Sequence, residues 1–485
     1  MSFGCNDKVF IHQTLCRVRR LSAVLLSLVL SPLLFTAGCK KYLTVPPPVD
    51  QVVGNGAFAS DSSAAAVLNG IYTQLLLDNL FQGNMGIGYD AGLYTDELQS
   101  LVLPSDQNFY ADALNANAYL QLWPDLYQEI YASNLAIEGL TSSSLTMRDQ
   151  LLGEAYFLRA FLYFYLTNLF GPIPIAIQSD VETTNRLARS PQADVYQQII
   201  ADLKQAQSLL DNFYHDQDGA LTDNRGRPNR MAATALLSRV YLYTQDWANA
   251  DAQAGLVIGA ASSYELVPPA LTFLTGSKET IWGMESVLAG VTLLRDAQVY
   301  YTFPGTHKAV CLDSALFSVF EPGDARWTNW VGVSHVAATA TQPATDYYFA
   351  YKYKDTALSP SPAGTISLLR LAEVYLIRAE ARAQQGDLAG AASDLNGIRA
   401  RASLGGTTAA TQSELLAAIA HERQVELFLE EGHRFFDLRR TGQLDAVMTR
   451  MAPVKGSSWS AYKQWWPIPI ADIQADANLT QTPGY

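Results

Sequence analysis

The chain has 485 residues, 49% of them apolar and 16% charged, with 33 Lys+Arg against 46 Asp+Glu. This is globular composition and excludes a disordered, collagen-like or disulfide-stapled chain. A formal charge of -13 argues against nucleic acid as the main partner, because phosphate binding needs a basic face.

The first segment reads as an export signal. Arg17, Arg19 and Arg20 precede an apolar run over 21–35, too short and too interrupted by serines and Pro32 to span a membrane. Thr36-Ala37-Gly38-Cys39 then resembles a bacterial lipobox, with Thr36 where Leu is usual. The expectation is a lipoprotein signal peptide over 1–38, lipidation at Cys39, and a lipidated tether over 39–52 stiffened by Pro46, Pro47 and Pro48. Contact with the membrane is then through the lipid anchor only. Cys5 and Cys16 leave with the signal, so Cys311 has no disulfide partner.

Residues 53–485 are expected to form a single, mainly α domain. Apolar spacing predicts helices over 64–77, 119–140, 154–169 and 195–210, the third so apolar all round that it must be buried. Gly171-Pro172-Ile173-Pro174 ends that helix. The basic stretch 224–230 reads as a solvated loop. Residues 232–258 and 369–402 look like copies: Gln245-Asp246-Trp247-Ala248-Asn249-Ala250 aligns with Gly386-Asp387-Leu388-Ala389-Gly390-Ala391. Each predicts a tetratricopeptide-like helix pair in which the Asp caps the second helix. Such helices are expected mainly in 119–258 and 366–445.

A loop-rich insert, 259–365, separates the copies, with strand-like runs at 280–284 and 346–354. A second loop-rich patch spans 81–113. Long irregular stretches inside a helical protein usually carry function. A helix is expected over 413–438 from an N-cap at Ser413, followed by a proline-punctuated tail that wraps onto the body.

Catalytic and metal motifs are weak. His421-Glu422-Arg423-Gln424-Val425 lacks the second histidine of HExxH, so neither a metal site nor a cofactor is expected. Glu426 and Glu430 share a helix face and could pair with arginines of a neighbour. Trp123 and Trp282 read as core. Aromatic residues gather in the two loop-rich patches, where flat rings suit the apolar faces of sugars and polar neighbours suit hydroxyls. The candidate ligand-binding residues are Asn108, Phe109, Tyr110, Tyr300, Tyr301, Trp327 and Trp330. Satellite core beneath loops is the alternative role for each ring. A glycoside hydrolase remains open wherever two acids flank the rings, as does a protein adaptor built on the helical groove.

The motifs together resemble the SusD/RagB family of nutrient-binding outer-membrane lipoproteins of Bacteroidetes. The carriers are Cys39-Lys40-Lys41-Tyr42-Leu43, Thr95-Asp96-Glu97-Leu98, EAYFLRAFLYFYLTNLFGPIPI (154–175), AATALLSRVYLYTQDWANA (232–250), LLRLAEVYLIRAEARAQQGD (368–387), HERQVELFLEEGHRFFDLRRTG (421–442) and WWPIPIADI (465–473). The resemblance implies four tetratricopeptide-like helix pairs with a ligand-binding insert. It also implies a surface lipoprotein of the outer membrane that passes a glycan, or in some members a peptide, uncleaved to a SusC-like TonB-dependent transporter. Lys40 and Lys41 depart from the acidic residues that follow the cysteine in some surface-exported members.

Overall fold

The computed structural model describes residues 56–101, 107–117, 121–285, 294–354 and 364–485. They belong to one unit, Asn55–Tyr485. The expected signal, the tether and Cys39 lie outside the described residues.

Helix α1 (Asp61–Leu77) opens on a Ser60 capping box, and α2 (Ile87–Tyr94) follows. Helices α3 (Leu122–Thr141) and α4 (Arg148–Phe170) pack against each other, and α5 (Gln192–Leu209) and α6 (Arg230–Tyr243) extend the stack. α4 is buried along almost its whole length because α1, α3, α5 and α6 all lie against it. Its polar residues are paired inside: the Arg159 guanidinium donates to both Asp202 oxygens at 2.8 and 2.6 Å. Gly171 stops the helix at φ 76, and a Cβ there would meet the Trp465 ring at 3.1 Å, so only glycine fits.

Arg227 pairs with Glu154 of α4 at 2.9 Å. Arg225 donates to the Ser263 carbonyl at 2.8 Å and lies over the Tyr264 ring at 5.1 Å. The basic stretch 224–230 is thus a latch onto the body, not a solvated loop. Its charges are consumed by acceptors on distant segments, which composition cannot reveal.

The repeated motif folds as its spacing predicts. α6 and α7 (Trp247–Gly259) form one pair. The insert follows, with α8 (Arg295–Tyr300) and α9 (Ala325–Trp330), and then α10 (Leu371–Gln384) and α11 (Leu388–Arg401) form the second pair. Asp246 caps α7 through the Asn249 N–H (3.3 Å), and Asp387 caps α11 through the Gly390 N–H (2.9 Å). The equivalent turn residues Gln245 and Gly386 are both left-handed, at φ 59 and 84. α7 stacks on α10, joined by Arg382 and Asp251 at 3.1 Å, so pairs distant in sequence are neighbours in space.

The expected helix over 413–438 is two helices. α12 (Gln412–Glu426) is capped two residues earlier, at Thr411, because Glu414 then sits at the third position and closes a reciprocal capping box. After Glu426 the chain turns through Leu429, Glu431 and Gly432, all at positive φ, before α13 (His433–Arg440) and α14 (Leu444–Met451). The break frees the carbonyls of Glu426 and Phe428, each of which accepts from the Lys352 ammonium at 2.9 Å.

Among the described residues, two of four short antiparallel strand pairs tie the insert to this body. β1 (Leu98–Ser100) pairs with β5 (Val310–Leu312), β2 (Tyr214–His215) with β3 (Leu221–Thr222), β4 (Thr280–Glu285) with β8 (Thr365–Arg370), and β6 (Val331–Val336) with β7 (Thr345–Ala350). A buried ionic network runs beneath. Arg370 bonds Glu279 (2.9 Å), Glu426 (2.6 Å) and Glu430 (2.6 Å), while Arg326 bonds Asp324 (2.8 Å), Glu422 (2.6 Å) and Glu426 (2.9 Å). Against the cost of burial, Arg401, Arg370 and Arg326 hold the Glu426 carboxyl well below the usual range. Glu426 and Glu430 do pair with arginines from neighbouring elements, but not from the expected shared helix face, because the helix ends at Glu426.

Asp296 of α8 accepts the Gly83 N–H at 2.5 Å, and burial raises its pKa to about 7. The unfolded carboxyl titrates near 3.9. The folded state therefore holds this proton more tightly, and stability falls as pH rises from about 4 to about 7. Asp296→Asn is expected to raise stability at pH 8 by about 1–3 kcal/mol and to gain little at pH 4. Thermal melts across that range check it; a benefit that does not grow with pH refutes the assignment.

Candidate ligand-binding face

The β6–β7 hairpin presents aromatic rings on both sides because alternate residues of a strand point to opposite faces. From one face of β7, Tyr348 meets Phe317 (centroids 4.5 Å) and Trp327 (5.5 Å), and Trp327 meets Phe320 (5.5 Å). From the other, Phe349 meets Tyr301 (5.7 Å), and Tyr347 lies against the His307 ring (4.9 Å). Tyr301 also touches Phe303, which is 46% exposed.

The first cluster opens into a cavity of about 320 Å³ lined by Phe317, Phe320, Glu321, Pro322, Gly323, Asp324, Trp327 and Thr328. That is a volume typical of the lower end of ligand sites. Helix α9 positions it. Asp324 caps the helix through the Arg326 N–H (2.8 Å), and the Ala325 N–H docks on the Ala402 carbonyl at the end of α11 (2.9 Å). Glu321 is held by Arg399 at 2.6 and 3.0 Å, and that bond holds its carboxyl below the usual range against a smaller cost of burial. Asp324 is buried and bonded to Arg326.

The structure separates the seven expected residues. Trp327 is half-buried at the cavity wall, and Tyr301 is half-buried on the opposite hairpin face. Asn108 is exposed. Phe109 is half-buried, with its ring against Trp466 at 5.2 Å. Three expectations are corrected. Trp330 is 0% exposed: its Nε1 donates to the Pro269 carbonyl (2.7 Å), and Lys352 and Arg401 lie over its ring at 4.9 and 5.3 Å. It is the aromatic floor of the ionic network and has no face for a ligand. Tyr300 is buried beside Tyr89 (6.2 Å), and Tyr110 is buried under the Lys455 ammonium (5.4 Å). The sequence reading missed Phe317, Phe320 and Glu321. The one available signal was a Phe-x-x-Phe spacing directly before the Glu321-Pro322-Gly323-Asp324 turn.

A larger cavity, about 720 Å³, lies among α10, α12, α13 and α14. Leu416, Ala420, Leu427, Leu438 and Val447 line it with Arg423, Arg434 and Arg440, and no Phe, Tyr or Trp does. Arg440 is committed to Glu380 and Asp437 and Arg434 to Asp96; Arg423 reaches Asp437 through Nε, while its two buried terminal nitrogens have no hydrogen-bond partner among the described residues. Glu321, His421 and Glu422 bring ligand atoms within 4.8 Å of one another. Arg399 and Arg326 already engage these carboxylates, and the His421 Nε2 contacts the Val319 carbonyl at 2.9 Å, so ion pairing explains the cluster. Among the described residues no helix is long and apolar enough to cross a membrane.

A family model described as starch-binding and associating with the outer membrane matches residues 66–242. The model of the SusD family matches residues 177–485, more than half of the chain. SusD-like protein P2 of Formosa agariphila is 25% identical over 505 residues, covering 90% of this chain and 95% of that one. The starch-binding protein SusD of Bacteroides thetaiotaomicron is 32% identical over 165 residues, 33% of this chain and 25% of its own. A SusD-like protein structure from Bacteroides fragilis superposes with TM-score 0.73 at 20% identity, covering 91% of this chain and 100% of that one. One from Parabacteroides distasonis gives 0.73 at 22%, covering 87% and 99%. At those identities the likeness to solved structures is one of fold. Helix pairs drawn from distant segments, a strand-tied aromatic insert and matches running from residue 66 to the C-terminus place this chain in the SusD family.

Proposed function

We propose that this protein binds an oligosaccharide or polysaccharide at the outer membrane and delivers it, uncleaved, to a SusC-like TonB-dependent transporter. One observation carries the reading: the Trp327 ring, braced by Phe320 and Tyr348, sits at the wall of a cavity that also offers the Glu321 carboxylate. A ring and an acceptor side by side suit the apolar face and the hydroxyl edge of a sugar. The family description adds starch binding and outer-membrane association. Lipidation at Cys39 would supply the anchor and leave the body outside the bilayer.

A binding role fits the acids better than a hydrolytic one. A glycosidase needs one carboxyl held protonated near neutral pH. Here Arg399 keeps Glu321 ionised, and Asp324 is paired with Arg326. A peptide ligand is the second reading, favoured by the larger cavity beside α12, which mixes aliphatic with charged and amide side chains and has no Phe, Tyr or Trp among the described residues that line it.

Trp327→Ala is expected to weaken glycan retention about tenfold or more, equivalent to roughly 1.4 kcal/mol. Affinity electrophoresis through glycan-containing gels measures this. Unchanged retention of a bound glycan would sink the site assignment. Binding restricted to peptide pools would favour the second reading.

A further inference from the structure

The charge of the Trp327 cavity carries a statement about its ligand. Of the residues lining it, those that ionise are Glu321 and Asp324, both acids, with no Lys, Arg or His among them. Asp324 is 3% exposed and spent on Arg326 and on the α9 cap. Glu321 is different: its side chain is 38% exposed, so it is the ionised group that meets whatever enters.

The guanidinium that pairs with Glu321 is already engaged. Arg399 uses both terminal nitrogens on Glu321 (2.6 and 3.0 Å), shares one with Glu422 (3.2 Å), and gives its Nε to the Gly405 carbonyl (2.8 Å). Arg326 is fully buried. A cavity of about 320 Å³ is comparable in width to one Debye length, roughly 8 Å at physiological salt, so a charge on the ligand is not fully screened from the Glu321 carboxylate. The chain as a whole carries -13, which adds repulsion at longer range.

We propose that this site takes neutral glycans and rejects anionic ones such as polyuronates and sulfated polysaccharides, with Glu321 setting the choice. The carboxylate accepts hydroxyl protons from a neutral sugar stacked on Trp327, and the same carboxylate repels a uronate or sulfate there. This rests on the reading that the Trp327 cavity holds the glycan.

The test compares retention of the purified chain at pH 8 in two gel panels. One contains soluble starch, laminarin and xyloglucan; the other contains alginate, polygalacturonate and chondroitin sulfate. The tightest neutral glycan is expected to bind at least tenfold better than any anionic one at low salt. The gap should narrow at least threefold in 0.5 M NaCl and in Glu321→Gln, which removes the repelling charge and loosens Arg399. The salt series uses the unaltered chain, so it tests the charge selection itself even if Glu321→Gln fails to fold, and the substitution assigns that selection to Glu321. An anionic glycan bound as tightly as the best neutral one and lost with Trp327→Ala would overturn the charge selection while leaving the site intact. A preference that neither salt nor Glu321→Gln moves would overturn the role of Glu321. Neutral binding indifferent to Trp327→Ala, or no glycan binding at all, would overturn the underlying site and this inference with it.

Discussion

Arg370→Ala is expected to cost about 3–5 kcal/mol of stability, the penalty for stranding buried charges after one partner is removed. Arg370 is 1% exposed and faces Glu279, Glu426 and Glu430. It also donates to the Glu426 carbonyl at 2.8 Å. Without it, Lys352, Arg401 and Arg326 remain for carboxylates that four cations previously shared. The loss should shrink as pH falls. In the wild type, arginines hold Glu426 low, so its contribution is present above the unfolded carboxylate pKa and fades on acidification. In the variant the stranded acids bind protons more readily in the folded state, so acidification relieves the penalty. Urea titrations followed by circular dichroism at pH 5 and pH 8 measure both effects. A cost under about 1 kcal/mol at pH 8 would mean the network is solvated and not sealed.

Trp282→Ala is expected to cost a similar amount, about 3–5 kcal/mol, for a different reason. Trp282 of β4 is fully buried, edge-on to Phe157 and Phe161 of α4 at 4.8 Å each. Its indole N–H donates to the Gly226 carbonyl at 2.9 Å, which pins the basic latch against the insert. Truncation leaves a cavity beside the most buried helix and an orphaned carbonyl. The effect should be nearly independent of pH, which separates it from Arg370→Ala in the same titrations. A pH-dependent loss would show that the damage reaches the ionic network.

Legibility followed the range of the forces involved. The helices over 61–77, 148–170 and 192–209, and the twin turns at Asp246 and Asp387, rest on apolar spacing and capping within a few residues, and the chain declares these locally. The stop at Gly171 is equally local. The break after Glu426 is not: nothing nearby in sequence forbids helix there, and the freed carbonyls acquire value because Lys352, 74 residues away, and Arg370, also distant in sequence, reach them. The latch of Arg225 and Arg227 escaped composition for the same reason.

The binding face divides along the same line. Composition and spacing established an exported-looking, mainly helical chain whose loop-rich insert gathers aromatic rings. They did not distinguish Trp327 from Trp330, two identical side chains one turn apart on α9. Burial made that distinction: β8 and α11 bring Arg370 and Arg401, with Lys352, over one ring, while the other stays half-open at a cavity that Phe320 and Glu321 complete. Local sequence sets which side chains are flat and apolar. Only packing between elements far apart in the chain sets which of them keeps a face toward solvent.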